Sequence, residues 1–167
     1  MRESKSSASS RAVPFKSRDD ADDADDDESM VVEDHKALVP DGWYQAKFTG
    51  HDTAVLFGRA CKIFLKFEVV ENADGYNGIR LVRPYRIRRI VGKPGPNGKF
   101  VLSAGGDLYR TVVRLLDAKA RCDRISLRPL KHLLFRIRTR TVDHDRNGTE
   151  LPEAARYSVV SDIEDGR

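Results

Sequence analysis

Basic and aromatic side chains alternate with apolar ones along four segments of the chain, and these residue types suit contact with a single-stranded nucleic acid. Lysine and arginine can follow a phosphate backbone, while aromatic rings stack on bases of any sequence. Reading each segment with the two-residue period of a β-strand separates a polar face from an apolar one. The residues predicted to bind nucleic acid on the polar faces are Trp43, Lys47, Lys62, Phe64, Lys66, Arg86, Arg88, Arg136 and Arg138.

The densest part of this pattern lies in residues 60–91, which are predicted to form two strands joined by a Gly/Asn-rich turn. On the first strand the cations and Phe64 occupy one face. The apolar positions of the other face are Cys61, Ile63, Leu65, Phe67 and Val69. The second strand, residues 79–91, is rich in arginine, but Pro84 cannot donate to a strand ladder. Its register is therefore open, and either Tyr85 or Arg86 could point outward.

The other elements follow from the same periodicities. A first strand is predicted at residues 43–49, with a loop or a strand continuation at 50–58 and a mobile Gly/Pro-rich loop at 92–99. Helical spacing predicts a helix over residues 103–120, and further strands are predicted at 132–142 and 156–163. Arg136, Arg138 and Arg140 form a stripe on the fourth strand. This stripe either extends the binding path or protects an exposed edge.

The predicted order is three strands, one helix and two strands. This is the order of an OB-fold, a five-stranded Greek-key barrel with one helix between strands three and four. An SH3-like small barrel and an open sheet with one covering helix are the alternatives. A mainly β domain is therefore predicted for residues 40–167.

The charge of the chain is divided unevenly along its length. The net charge is +4, but residues 1–39 carry −5 and residues 40–167 carry +9. Residues 1–39 are rich in serine and aspartate and are nearly all acidic between Asp19 and Glu28, so a disordered acidic tail is predicted. The tail could aid solubility, compete with nucleic acid for the basic surface, or dock a replication or recombination protein.

Several classes of protein receive no support from the sequence. The two cysteines, Cys61 and Cys122, stand 61 residues apart, which is neither a metal-binding spacing nor a disulfide framework. No apolar run approaches the roughly 18 residues of a membrane span, and no secretory signal is visible. The run Asp143-His144-Asp145 lies beside a turn, and no nucleophile–base pair can be identified. A cytoplasmic protein is predicted, with no catalytic residue, metal ligand, cofactor or membrane partner.

Two stretches carry a resemblance to a known family. The opening Pro40-Asp41-Gly42-Trp43-Tyr44 and the strand Ile63-Phe64-Leu65-Lys66-Phe67-Glu68-Val69-Val70 resemble small OB-fold proteins of phages, plasmids and integrative mobile elements. The resemblance covers residues 40–163. It implies a non-catalytic protein that binds single-stranded DNA, largely independently of sequence, during replication, recombination or transfer. A protein-interaction adaptor and an RNA-binding module are the alternatives.

Overall fold

The computed structural model describes residues 36–71, 75–116 and 124–165. These residues form a mainly β structure with a single α-helix. The predicted helix end at 117–120, the turn residues 72–74, Cys122 and residues 1–35 of the predicted tail lie outside the described residues. The elements are β1 (Trp43–Leu56), β2 (Ala60–Glu71), β3 (Arg80–Arg86), β4 (Arg89–Val91), β5 (Gly95–Pro96), β6 (Lys99–Val101), α1 (Asp107–Leu116), β7 (Leu134–Val142) and β8 (Tyr157–Asp165), with short 3-10 helices at Arg128–His132 and Glu153–Ala155.

The main sheet is antiparallel and has six strands, one more than predicted. The strand order is β3-β2-β1-β7-β8, and β5 also pairs with β1. Within the described part of the chain no ladder joins the edge strands β3 and β8, so the sheet is not closed. Side chains bridge these edges instead, with Arg83 Nη1 lying 3.6 Å from Asp162 Oδ1. Arg114 of α1 also donates to the carbonyl oxygen of Ile163 on β8, at 2.7 Å.

One hydrophobic core lies on the inner face of this sheet. Alternate residues of β1, β2 and β7 are buried, as the two-residue period predicted. The ring of Phe67 packs edge-on against Phe48 and Phe135, each with a centroid separation of 5.9 Å. Helix α1 covers the core with Leu108, Val112 and Leu115. Since one face of each long strand supplies the core, the opposite face is free to carry charge.

Strand β1 extends past residue 49 and changes its phase on the way. The pairing register with β2 shifts between Phe48 and Gly50. A bulge adds one residue to one strand, so the side chains beyond it swap faces. Thr53 is therefore buried, whereas Asp52 lies opposite Phe64 on the outer side. The strand continuation was one of the two structures predicted for residues 50–58.

Residues 92–99, predicted from their composition to be a mobile loop, contain a short strand that was not predicted. They lie in a hairpin formed by β4 and β6, and the intervening β5 pairs with β1 at Asp52 and Thr53. The backbone N–H of Asn97 donates to the carbonyl oxygen of His51 at 2.8 Å. The hairpin is held because β1 continues far enough to supply these hydrogen-bonding partners.

The beginning of the helix and the beginning of the folded domain also differ from the predictions. Helix α1 begins at Asp107 rather than residue 103, after Gly105 and Gly106. Residues 36–39, predicted as part of the tail, contact β8. Val39 is buried, and its N–H donates to Ser158 Oγ at 2.9 Å. Because Val39 adds to the core, the folded unit begins before Pro40. No helix within the described residues is long and apolar enough to cross a membrane.

Candidate nucleic-acid interface

The predicted binding residues lie mainly on one surface, the outer face of the sheet. The outer face consists of the residues of β3, β2, β1 and β7 that alternate with the buried ones. Arg88 lies just after β3 and is exposed. The candidates on the outer face are Trp43, Lys47, Lys62, Phe64, Lys66, Arg86, Arg136 and Arg138. They fall into three groups that differ in what surrounds their charges.

The register of β3, left open by Pro84, is regular. Strands β2 and β3 pair without a shift from Lys62 opposite Arg86 to Glu68 opposite Arg80. Strand β3 is an edge strand, where a missing N–H is tolerated. Tyr85 is buried and its hydroxyl donates to Thr111 Oγ1 at 3.3 Å, and this burial raises the pKa of Tyr85. Arg86 therefore points outward.

The first group is the β2–β3 patch, which consists of Lys62, Phe64, Pro84 and Arg86. Lys62 lies directly opposite Arg86, and Phe64 lies opposite Pro84. Phe64 is half-buried and does not belong to the core cluster. Neither Lys62 nor Arg86 forms an ion pair with any residue that the structure describes. Like charges directly opposite each other on a sheet are destabilising, so an anion bound between these two cations would relieve their repulsion.

The second group is the paired band, which consists of Lys47 with Glu68 and Lys66 with Asp52. Lys47 Nζ lies 2.9 Å from Glu68 Oε1, and Lys66 Nζ lies 2.5 Å from Asp52 Oδ2. The hydrogen bond from Lys47 lowers the pKa of Glu68. Each lysine already has a carboxylate at hand, so the band presents little net positive charge to a phosphate backbone.

The third group is the Trp43 cluster, which consists of Trp43, Arg136 and Arg138. The guanidinium carbons of Arg136 and Arg138 lie 5.0 and 6.0 Å from the centre of the Trp43 ring, within the range of a cation–π contact. Trp43 is 37% exposed. Because two cations already contact the indole, a base would have to share the ring with them.

The β2–β3 patch and the Trp43 cluster lie at opposite ends of the outer face. Trp43 begins β1, whereas Lys62 pairs with Ala54 near the other end of that strand. At about 3.3 Å per residue, roughly 35 Å of extended chain separates Trp43 from Ala54. The paired band lies between them. The predicted residues therefore share a face but do not form one continuous patch.

Two residues that the sequence analysis did not select join the loops flanking this face. Phe57, in the β1–β2 turn, is 73% exposed and has a φ of 53°. Arg146, in the β7–β8 loop, places its guanidinium carbon 4.6 Å from the centre of the Phe57 ring. The signal in the sequence was an aromatic residue beside Gly58 in a turn. The contact with Arg146 links two loops that are distant in sequence.

The run Asp143-His144-Asp145 is part of a turn in this loop. Asp145 Oδ1 accepts from the backbone N–H groups of Asn147 and Thr149, at 2.7 and 2.8 Å. Asp143 Oδ1 lies 2.9 Å from His144 Nδ1, and this hydrogen bond raises the pKa of His144. Among residues 36–71, 75–116 and 124–165, no three His, Cys, Asp or Glu side chains are grouped closely enough to hold a metal ion.

Comparisons with protein-family models, with curated proteins and with solved structures find no match to this chain. What the outer face binds is therefore inferred from its own geometry and charge.

Proposed function

We propose that the protein is a non-catalytic, largely sequence-independent single-stranded DNA-binding protein, and that the strand binds on the β2–β3 patch. The observation that carries this proposal is the placement of Lys62 opposite Arg86, which form no ion pair with any described residue, beside the half-buried ring of Phe64. Two cations can contact successive phosphates while the ring stacks on a base. On the outer face the Phe64–Pro84 pair lies next to the Lys62–Arg86 pair, so a base and a phosphate of the same strand can contact neighbouring positions.

The arrangement of the elements supports an OB-type fold for this function. The helix follows the third long strand, and β1 pairs with both β2 and β7. OB-folds bind oligonucleotides on the face of their second and third strands, between the loop joining strands one and two and the loop joining strands four and five. In this chain the corresponding loops carry Phe57 and Arg146. A cytoplasmic role in replication, recombination or transfer of a mobile element goes with this proposal.

Titration of a labelled oligo-dT at several salt concentrations tests the proposal. If the strand contacts about four to six phosphates, the log–log plot of affinity against salt should have a slope of about −3 to −4, from roughly 0.7 per phosphate. Binding that is undetectable, or that does not change with salt, would contradict it. A competing oligo-U of the same length separates DNA from RNA, and preferential displacement by oligo-U would make the ligand RNA.

A protein-interaction adaptor is the second candidate, and the Trp43 end of the outer face favours it. Trp43 is 37% exposed there, and Leu134, which is 49% exposed, lies four positions further along, opposite Lys47 on the neighbouring strand. Exposed apolar residues of this size are common at protein interfaces. Recovery of one stoichiometric protein partner that survives nuclease treatment and depends on Trp43, together with no oligo-dT binding, would favour this function.

A further inference from the structure

A cleft of about 1020 Å³ is lined by residues other than those of the three groups on the outer face. Binding of a strand to the β2–β3 patch alone does not involve this cleft. Its walls come from the β4–β6 hairpin, the beginning of α1 and residues 124–131. Its floor includes the buried side chains of Phe48 and Leu127. The cleft is large enough for a nucleotide, since ligand pockets commonly measure about 300–1,000 Å³.

The charge of this cleft has one sign. Four exposed cations line it, and among the residues that the structure describes no aspartate or glutamate lines it. These cations are Lys99, Arg124, Arg128 and Lys131. None of the four forms an ion pair with a residue in the described part of the chain. A concave surface with several like charges and no counter-charge attracts an anionic ligand.

Aromatic and aliphatic side chains lie between these cations. Phe100 and Tyr109 are half-buried and face the cleft, together with Leu102 and Ile125. The Phe100 ring is held edge-on against His51 at a centroid separation of 5.5 Å. Phe100, Leu102 and Ile125 also pack against the core, whereas Tyr109 does not belong to the core cluster. The cleft thus presents aromatic side chains beside its cations. Their presence favours a ligand with both phosphates and flat bases.

The cleft is connected to the β2–β3 patch through the chain that follows β3. Arg88 comes two residues after Arg86, and its N–H donates to the carbonyl oxygen of Val101 at 3.0 Å. Val101 is the last residue of β6, which begins at Lys99 and lines the cleft. The backbone that leaves Arg86 therefore runs directly to the strand that lines the cleft.

We propose that this cleft is a second binding site for the same single strand and takes the nucleotides that run off the β2–β3 patch. Lys99, Arg124, Arg128 and Lys131 contact the phosphates, and Tyr109 and Phe100 stack on a base. This inference rests on the proposed function, because it extends the path of the same ligand.

Photocrosslinking of the full chain to an oligo-dT that contains 4-thiothymidine tests this path without altering the protein. Trypsin cleavage after Lys99 and Arg110 isolates residues 100–110, which include both cleft rings. Cleavage after Lys62 and Lys66 isolates Phe64 in residues 63–66. Crosslinks in both peptides are expected. Crosslinks confined to residues 63–66 would overturn the cleft site and leave the proposed function intact.

Charge reversal gives an independent measurement. The double variant Arg128→Glu/Lys131→Glu should lose about tenfold in affinity for a long oligo-dT, with a salt slope shallower by about 1.4, from roughly 0.7 per lost phosphate contact. An oligomer just long enough for the β2–β3 patch should bind unchanged. The matched control is Lys36→Glu/Arg110→Glu, whose exposed side chains belong to neither site.

The outcomes separate the two proposals. If the cleft variant matches the control on the long oligomer, the cleft site is wrong, whereas binding by the unaltered chain still supports the proposed function. If the unaltered chain binds neither oligomer, both proposals fail. Should the reversal variant fail to fold, the neutral pair Arg128→Gln/Lys131→Gln gives the same comparison with a smaller loss.

Discussion

The β2–β3 patch and the paired band contain the same residue types on the same face, yet their cations differ in what they contact. Lys62 and Lys66 lie on one strand and one face of β2. Lys66 lies 2.5 Å from a carboxylate oxygen of Asp52, whereas Lys62 faces Arg86 on one side and Ala54 on the other. The neighbours across the sheet, rather than the lysines themselves, decide which cation is available to a phosphate.

This difference has an energetic basis. Exposed ion pairs such as Lys66–Asp52 contribute only about 0–1 kcal/mol to stability, but the carboxylate remains beside the lysine and repels an approaching phosphate. At Lys62 and Arg86 the repulsion is between the cations, so a bound anion is favourable to both. In the proposed function, the β2–β3 patch should therefore contribute most of the affinity for DNA, and the paired band little.

The largest expected effect comes from reversing the charges of the patch. Lys62→Glu/Arg86→Glu should lower the affinity for oligo-dT by roughly 100-fold, because two phosphate contacts are lost and two repulsive charges are added. Fluorescence anisotropy with a labelled oligomer measures it. The control variant Lys36→Glu/Arg110→Glu changes the net charge by the same amount away from both sites. An equal loss of affinity in the control would mean that net charge, and not the β2–β3 patch, causes the loss.

Removing either outer-face aromatic side chain should lower the affinity for oligo-dT by less than the charge reversal does, and Phe64 should matter more than Trp43. Phe64→Ala should weaken binding by about 1–3 kcal/mol, the usual range for one stacked base. Trp43→Ala should cost less, because Arg136 and Arg138 already contact its ring. Neither residue belongs to the core cluster, so urea unfolding should change little for either variant. A larger loss of affinity from Trp43→Ala would move the binding site to the other end of the face.

Removing a carboxylate from the paired band should change the affinity for oligo-dT least, and the change should be an increase. Glu68→Gln leaves Lys47 without its counter-charge, so affinity for oligo-dT should rise by about 2- to 5-fold at low salt. Because the hydrogen bond from Lys47 lowers the pKa of Glu68, the carboxylate stays ionised to a lower pH than an ordinary glutamate. Mild acid should therefore not reproduce the gain, and anisotropy titrations of both proteins over a pH series would check this.

The sequence predicted the inner face well, because burial of one face requires a two-residue period in each strand. It correctly predicted Ile63, Leu65 and Phe67 as core and their neighbours as outward. It could not predict the paired band. The pairing of Lys66 with Asp52 depends on the bulge after Phe48, which turns Asp52 to the outer face. Gly50 is a residue type that indicates a bulge or a turn at this point, but the sequence alone does not say which of the two forms or how the residues beyond it pair.

The tertiary contacts that the loops make could not be predicted from the sequence either. Residues 92–99 have the composition of a mobile loop, but β1 extends far enough to pair with Gly95–Pro96. The contact between Phe57 and Arg146 joins two loops from opposite parts of the chain. The cleft likewise combines β6, α1 and residues 124–131, which only the fold brings together.

In the proposed function, the DNA strand binds where lysine and arginine side chains have no carboxylate partner, rather than where they are most numerous. The salt dependence of oligo-dT binding tests it most directly in two matched double variants, Lys62→Gln/Arg86→Gln and Lys47→Gln/Lys66→Gln. The first pair should make the log–log slope shallower by about 1.4, from roughly 0.7 per phosphate contact, and the second should leave the slope unchanged. Equal changes in both variants, or a change only in the second, would show that the β2–β3 patch is not the main binding site.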